Sequence, residues 1–252
     1  MTDLVRTELD GRVLRLTLAR PEKLNALTQD MYAALADGLE RAAAEAEVRV
    51  VVVTGEGETF TAGNDLKDFA AGPRGDGPPP VIRFLQAVRD CPKPVIAAVN
   101  GPAVGVGLTM LLHCDLAFAA ETATFRAPFA QIGLVPEAGS SLLLPQALGL
   151  AWANDLLIAG RVLTAAEALS AGLVSRVYAP ETLAEETART AASVAAQAPE
   201  ATRLTKALIR SQREAVAERM EREGELFAAR LRSAEFMEAA AAFMHKRAPD
   251  FG

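Results

Sequence analysis

The sequence predicts an α/β fold, because short apolar strands alternate with segments of helical periodicity along the first half of the chain. Residues 50–53 are a continuous apolar run, which is typical of a parallel strand that is covered on both faces. Residues 95–99 form a second apolar strand. With 252 residues, 50% of them hydrophobic, the chain can bury a large core. We therefore expect one large folded unit or two small ones.

The N-terminal elements begin with a β-hairpin. The turn pair Asp10 and Gly11 separates residues 7–9 from residues 13–18, and an Asp-Gly pair accepts the positive φ angles of a tight turn. Alternate positions of the second strand are leucines, which predicts one buried face: Leu14, Leu16 and Leu18. Thr28 is then predicted to cap a helix. The apolar stripe of that helix consists of Met31, Leu35 and Leu39.

The alternation continues through the middle of the chain. Glycine and proline predict an irregular surface loop over residues 70–80. After it we predict a helix at 81–88, the strand at 95–99, a glycine-rich turn at 101–107, a short helix through Leu112 and a strand at 116–119.

The second half of the chain is mostly helical in pattern. Thr164 and Glu167 form a capping box, Gly172 suits the end of the helix that follows, and residues 173–177 predict one last strand. From Leu183 onward we expect successive amphipathic helices.

The last of these helices carry a charged stretch and an apolar stripe. Charges of both signs in residues 213–225 predict a solvated helix face. The apolar stripe after them consists of Phe227, Leu231, Phe236 and Phe243. Because such a stripe must be covered, we predict that this tail docks partly against another subunit.

Charge and composition exclude several function classes. The formal net charge of −6 argues against nucleic acid and anionic membrane surfaces as partners. We find no secretory signal and no membrane span. The two cysteines, Cys91 and Cys114, form no CxxC pair, and no metal site is expected. These features favour a cytoplasmic protein. The sequence contains two histidines, His113 and His245, and we predict that both are structural.

Nucleophile, dinucleotide and P-loop motifs are missing from the sequence, which leaves two glycine-bearing turns as candidates. They lie at residues 61–66 and 100–107, each between an apolar strand and a short helix. Small residues let backbone N–H groups approach a ligand closely, so the two turns could together bind one oxyanion. On spacing alone they could equally be tight turns that packing requires. A third loop, residues 133–139, carries Glu137 among apolar residues.

The order of these motifs resembles that of the crotonase, or enoyl-CoA hydratase/isomerase, superfamily over essentially the whole chain. Five segments carry the resemblance: residues 20–27 (RPEKLNAL), 60–66 (FTAGNDL), 93–101 (KPVIAAVNG), 105–115 (GVGLTMLLHCD) and 168–177, which contains AGLV. The resemblance implies a spiral core of ββα units over residues 1–195. It also implies a helical trimerisation region over residues 196–252, assembled as a homotrimer or a dimer of trimers.

The same resemblance implies a CoA thioester substrate and no cofactor, since coenzyme A is part of the substrate. The thioester oxygen would accept hydrogen bonds from the backbone N–H groups of Asn64 and Val106. The positions that correspond to the CoA-binding part of the site in relatives are Lys23, Ala26, Ala62, Gly63, Asp65, Leu66 and Gly107.

Two positions depart from the hydratase pattern. Hydratases hold a water between two glutamates, and the corresponding residues here are Thr109 and Phe129, neither of which exchanges protons near neutral pH. The segment around Glu137 instead resembles that of 3-enoyl-CoA to 2-enoyl-CoA isomerases, where one carboxylate at this position transfers the proton. We expect apolar surroundings to raise the pKa of Glu137 and to strengthen it as a base.

The favoured function is therefore an acyl-CoA isomerase, and three alternatives stay open. The first is isomerisation of a ring-epoxide CoA ester by the same fold. The second is a weak enoyl-CoA hydratase that works through Glu137 and a water. The third is a non-catalytic acyl-CoA-binding subunit that has kept the two glycine turns.

Overall fold

A computed structural model describes residues 4–70, 77–210 and 213–251. Its strands are β1 (Val5–Asp10), β2 (Val13–Leu18), β3 (Val50–Gly55), β4 (Val95–Val99), β5 (Ala103–Val104), β6 (Leu116–Ala120), β7 (Thr124–Arg126), β8 (Leu163–Thr164) and β9 (Arg176–Tyr178). Its helices are α1 (Gln29–Ala44), α2 (Leu66–Ala70), α3 (Pro80–Asp90), α4 (Val106–Thr109), α5 (Ser140–Leu148), α6 (Leu150–Leu157), α7 (Ala165–Ala171), α8 (Pro180–Ala195), α9 (Pro199–Ile209), α10 (Arg213–Arg230) and α11 (Ala234–Met244). The α/β prediction is confirmed.

A six-stranded sheet with the order β1-β2-β3-β4-β6-β9 forms the centre of the structure. Strands β1 and β2 pair antiparallel, and each later neighbour in the sheet pairs parallel. The predicted hairpin is confirmed, because Asp10 pairs with Val13 across Gly11, which has a φ of +56°.

Helices cover both faces of this sheet, which explains the unbroken apolar runs in its central strands. Val51 and Val53 belong to the main core, together with residues of α1 and α3. Val50 and Val52 belong to a second cluster that includes Leu183 of α8. The predicted burial of this strand on both faces is therefore confirmed.

Local capping signals predicted three helix boundaries correctly. The Thr28 hydroxyl accepts a hydrogen bond from the Met31 N–H at 3.3 Å at the start of α1. Thr164 and Glu167 form the reciprocal capping box of α7, and Gly172 ends that helix with a φ of +84°. Each signal acts within a few residues, so the sequence alone reveals it.

The strand predicted at residues 173–177 is wrong in its start. The N–H groups of Leu173 and Val174 donate to the Ala168 carbonyl at 2.8 and 3.3 Å, so both residues still belong to the turn that closes α7. Strand β9 therefore begins only at Arg176.

The irregular loop predicted at residues 70–80 is shorter than expected at both ends. Helix α2 extends to Ala70, and α3 begins at Pro80. Residues 71–76, which hold most of the predicted loop, lie outside the described residues.

A second, three-stranded sheet with the order β5-β7-β8 has no counterpart among the predictions. Its strands span only two or three residues each, which is too short for a hydrophobic period to be visible. Helices α5 and α6 were also missed, and α5 contains Pro145 in its interior.

The C-terminal helices pack partly against the chain's own core. Phe227 is buried, and Leu231 and Phe236 pack against the main core. Phe243, the last member of the predicted stripe, is 69% exposed. Docking of this tail against another subunit therefore stays a prediction, now limited to its outer part. Across the described ranges, no helix is both long enough and apolar enough to cross a membrane.

Candidate active site

A cavity of about 840 Å³ lies between α1, α3 and the C-terminal helices α10 and α11. Apolar side chains form most of its wall, among them Leu85, Phe227 and Leu231. The polar residues on the same wall include Asn64 and Glu137, two of the residues that the sequence analysis selected. The chain therefore encloses a mostly apolar space next to a carboxyl group.

Glu137 is the buried carboxyl group of this cavity, with 9% of the residue exposed. Its Oε1 accepts a hydrogen bond of 2.6 Å from the Thr109 hydroxyl. Burial raises the pKa of Glu137 to about 7, the Thr109 hydrogen bond opposes this rise, and the negative charge of Glu223 adds to it. The expectation that the surroundings raise this pKa is confirmed.

The loop that carries Glu137 is held by His113 from the preceding segment. Ala138 has a φ of +59°, a conformation that a residue with a side chain adopts at a cost. Its carbonyl lies 2.7 Å from Nε2 of His113, so this nitrogen carries the proton and donates it. Burial lowers the pKa of His113 to about 4, and the ring is neutral. His113 is structural, as the sequence predicted, and it fixes the residue next to Glu137.

The two glycine turns are in direct contact. The Val104 N–H donates to the Thr61 carbonyl at 3.0 Å, and the Thr61 N–H donates to the Pro102 carbonyl at 3.1 Å. Gly63 has a φ of +88°, and a Cβ there would lie 2.9 Å from the Val104 oxygen. The close approach of the two turns therefore requires glycine at this position.

The backbone N–H groups of Asn64 and Val106 are the two predicted oxyanion donors; Asn64 lines the cavity, whereas Val106 is 2% exposed and is not among the residues of its described wall. Within the part of the chain that the structure describes, neither N–H donates a hydrogen bond. Val106 is the first residue of α4, where helix geometry leaves N–H groups without an acceptor. The Asn64 side chain is positioned separately, because its Oδ1 accepts a hydrogen bond from the Tyr32 hydroxyl.

The structure brings none of the predicted CoA-binding positions to the described wall of the cavity. Its wall, as described, does not include the following positions: Lys23, Ala26, Ala62, Gly63, Asp65, Leu66 and Gly107. The Asp65 carboxylate is bonded within the protein, since it accepts a 2.8 Å hydrogen bond from Arg20 and caps the first turn of α2. Burial acts to raise the pKa of Asp65, but these hydrogen bonds outweigh it and the pKa lies below its ordinary value.

Four residues near Glu137 were not selected as functional from the sequence. They are Tyr32, Thr109, His113 and Glu223. The sequence alone shows only that Thr109 does not exchange protons near neutral pH, and its charge pattern predicts Glu223 on a solvated helix face. That expectation is wrong for Glu223, which is 4% exposed. Each acts through a contact with a residue far away in the sequence, and no local pattern reveals such contacts.

A model of the enoyl-CoA hydratase/isomerase family matches residues 8–252, which is nearly the whole chain. This chain belongs to that family. A relative, the 1,2-epoxyphenylacetyl-CoA isomerase of Escherichia coli (strain K12), is 35% identical over 264 residues that cover 100% of this chain and 99% of that protein. Enoyl-CoA delta isomerase 2 of Rattus norvegicus is 37% identical over 207 residues, which cover 80% of this chain and 53% of that protein.

Solved structures of the enoyl-CoA hydratase/isomerase family share the fold. The enoyl-CoA hydratase/isomerase from Pseudoalteromonas atlantica T6c superposes with a TM-score of 0.97 at 55% identity, over 99% of this chain and 100% of that one. The resemblance to crotonases is thereby confirmed for family and fold. The protein is an enzyme of the enoyl-CoA hydratase/isomerase family.

Proposed function

We propose that this enzyme moves the double bond of a 3-enoyl-CoA from C3 to C2, with Glu137 as its single acid/base group. The observation that carries the proposal is one buried carboxyl group, Glu137, on the wall of a mostly apolar cavity. At the two positions that correspond to the glutamates of hydratases, Thr109 bonds to Glu137 and Phe129 is 5% exposed within the core. Hydration by a pair of glutamates at these positions has no support here.

The proposed reaction consists of two proton transfers. The Glu137 carboxylate removes a proton from C2, and the electron pair of that C–H bond moves to the thioester oxygen to give a dienolate. Glu137 then returns the proton to C4, the C2=C3 bond forms, and the thioester carbonyl is restored. No water, oxidant or reductant is consumed. A group with a pKa of about 7 is well suited to both steps near neutral pH.

The negative charge of the dienolate would be stabilised by the N–H groups of Asn64 and Val106. Two observations support this assignment. Neither N–H donates a hydrogen bond within the described ranges, and the two turns that carry them are in contact. In known oxyanion holes each such donor stabilises the transition state by about 3 kcal/mol. The CoA portion would lie along the set Lys23, Ala26, Ala62, Gly63, Asp65, Leu66 and Gly107.

We also propose a homotrimer or a dimer of trimers, built through the C-terminal helices. Leu208, Ile209 and Phe243 are 77%, 76% and 69% exposed, and large apolar side chains in water favour a protein contact. Light scattering on the purified protein should give the mass of three or six chains. A monomer at micromolar concentration would contradict this assembly.

A ring-epoxide CoA ester is a second candidate substrate. The observation in its favour is the 35% identity to the 1,2-epoxyphenylacetyl-CoA isomerase over the whole chain. Parallel assays with a 3-enoyl-CoA and with 1,2-epoxyphenylacetyl-CoA would separate the two. Our proposal expects the larger kcat/KM for the 3-enoyl-CoA.

The experiment that tests the function is Glu137→Gln, assayed for 3-enoyl-CoA isomerisation. We expect kcat/KM to fall about 10³-fold, since a positioned acid/base group contributes on this scale. Glu225→Gln is the matched control, because Glu225 lies exposed on α10. Activity of Glu137→Gln within tenfold of wild type would refute the proposal. Tight binding of acyl-CoA esters without turnover of any of them would instead indicate a binding subunit.

A further inference from the structure

We propose that Glu223 of α10 is a positioning residue for the reaction: its carboxylate fixes the loop that carries Glu137 and so couples the C-terminal helices to the base. The inference rests on the proposed function, in which Glu137 is that base. Glu223 is not among the residues of the described cavity wall, and its hydrogen bonds run to the backbone just after Glu137, so its role in the reaction would act through Glu137.

The contacts of Glu223 are made with backbone amides at the start of α5. Its Oε2 accepts a hydrogen bond of 2.6 Å from the Gly139 N–H, and its Oε1 accepts one of 2.9 Å from the Ser141 N–H. Helix α5 has no side-chain cap of its own. A carboxylate from a distant helix therefore binds the N–H groups that the helix start leaves open.

These contacts lie immediately after Glu137 in the chain. Ala138 is held by His113 through its carbonyl, and Gly139 is held by Glu223 through its N–H. The Ser140 N–H in turn donates to the Glu137 carbonyl at 3.0 Å. The backbone that follows Glu137 is thus fixed from two elements. Without Glu223 the buried N–H of Gly139 and the half-buried N–H of Ser141 would lose their acceptor.

The charge of Glu223 also acts on Glu137. Around Glu137 stand Tyr32 from α1, Thr109 from α4, the neutral ring of His113 and Glu223 from α10. Arg89 of α3 lines the same cavity, but its guanidinium pairs with Asp90. Asp68 of α2, Glu221 of α10 and Arg232 also line the cavity; Asp68 is half-buried, and Glu221 and Arg232 are exposed. In the described residues no Lys or Arg forms an ion pair with Glu137, and the nearby negative charge of Glu223 raises the pKa of Glu137.

A purely structural cap would predict something different from a positioning residue. Loss of a cap lowers the stability of α5 and leaves kcat unchanged in the folded protein. Loss of a positioning residue changes kcat and the pH at which Glu137 titrates, while substrate binding is preserved. The two roles therefore separate in a pH profile and in a kcat-against-KM comparison.

The test is Glu223→Gln in the full-length protein, with Glu225→Gln as the control on the solvent side of the same helix. We expect kcat to fall about tenfold with KM within about twofold, because the loss is confined to the geometry of the base. The acid limb of kcat/KM should move to lower pH, since a like charge near the base is removed. Unchanged kcat and an unchanged acid limb in the folded variant would overturn the proposal.

A second readout is independent of turnover. The carboxyl titration of Glu137 can be followed by infrared difference spectroscopy against the Glu137→Gln variant. It should shift to lower pH in Glu223→Gln and stay at the wild-type pH in Glu225→Gln, and equal titrations in all three proteins would overturn the coupling. If the titration shifts while Glu137→Gln stays active, the proposed function fails and the coupling between the carboxyl groups stands.

If Glu223→Gln does not fold, Glu223→Asp tests the same proposal. Aspartate keeps the charge but is one methylene shorter, so it reaches the two amides less well. We expect a lower kcat with the acid limb at the wild-type pH. A kcat equal to that of wild type would overturn the positioning role.

Discussion

Two carboxyl groups of this fold, Asp115 and Glu137, have different surroundings. Asp115 stabilises the structure, whereas Glu137 is the proposed acid/base group. Asp115 forms an ion pair of 2.6 Å with Lys206 of α9 and accepts a hydrogen bond of 2.8 Å from the Val95 N–H. Glu137 accepts one hydrogen bond from the neutral hydroxyl of Thr109 and forms no ion pair with a Lys or Arg among the described residues. The negative charge of Asp115 is thus balanced by a cation, whereas that of Glu137 is not.

The difference teaches how the chain uses buried charge. The half-buried carboxylate of Asp115, with a cation and an amide donor as partners, stabilises the contact of α9 with the sheet. Removing it would leave the buried ammonium group of Lys206 without its carboxylate, which is costly. A buried carboxyl group without a cation favours its neutral form, which places its proton exchange near neutral pH. The ionised form of Glu137 therefore lowers the stability of the folded protein, whereas ionised Asp115 does not.

The largest effect is expected for Asp115→Asn. This change leaves Lys206, 5% exposed, without its carboxylate, so the free energy of unfolding should fall by about 4 kcal/mol. Urea denaturation measures the loss. The double variant Asp115→Asn/Lys206→Met should recover most of it, because both charges are gone. A single variant as stable as wild type would remove the contrast between the two carboxyl groups.

For Glu137→Gln we expect a change of the opposite sign in the free energy of unfolding: above pH 7 the variant should be more stable than wild type. The pKa of Glu137 is raised from 4.5 to about 7 in the folded state. Its contribution to stability is therefore complete below about pH 4.5 and is lost as the pH rises through 7. Relative to the variant, wild type should lose about 3 kcal/mol of unfolding free energy between about pH 4.5 and pH 8.

The comparison of the two proteins at each pH cancels the titration of all other groups. Equal pH dependence of wild type and Glu137→Gln would show that burial does not perturb this carboxyl group.

The smallest effect is expected for Thr109→Val, which keeps the side-chain shape and removes the hydroxyl donor. The Thr109 hydrogen bond lowers the pKa of Glu137, so its loss should move the acid limb of kcat/KM to higher pH. The maximal rate should fall about fivefold, since one hydrogen bond of about 1 kcal/mol no longer orients the carboxylate. Thr109→Ser is the control and should stay near wild type. An acid limb that moves to lower pH in Thr109→Val would contradict the assigned contact.

What the sequence revealed depended on the range of each interaction. The hairpin, the caps of α1 and α7, and the double-sided burial of β3 are set by neighbouring residues or by continuous patterns, and all were predicted. Glu137 was selected from its motif and its apolar neighbours. Its contact with Thr109 spans 28 residues, and the bond from Gly139 to Glu223 spans 84.

Such distant contacts also explain the missed elements. Helix α5 lacks a cap of its own and contains Pro145, so its start depends on Glu223 rather than on a local signal. The charge pattern of α10 favoured a fully solvated face, because periodicity does not tell which glutamate meets the N-terminus of another helix.

The most direct test of the central claim is a crystal structure of the Glu137→Gln variant with a bound 3-enoyl-CoA. The account predicts the amide oxygen or nitrogen of the substituted side chain within about 3.5 Å of both C2 and C4, a distance suited to proton transfer. It also predicts the thioester oxygen within about 3.1 Å of the Asn64 and Val106 nitrogens. A side chain at position 137 turned away from C2, or a thioester oxygen bound elsewhere, would contradict it.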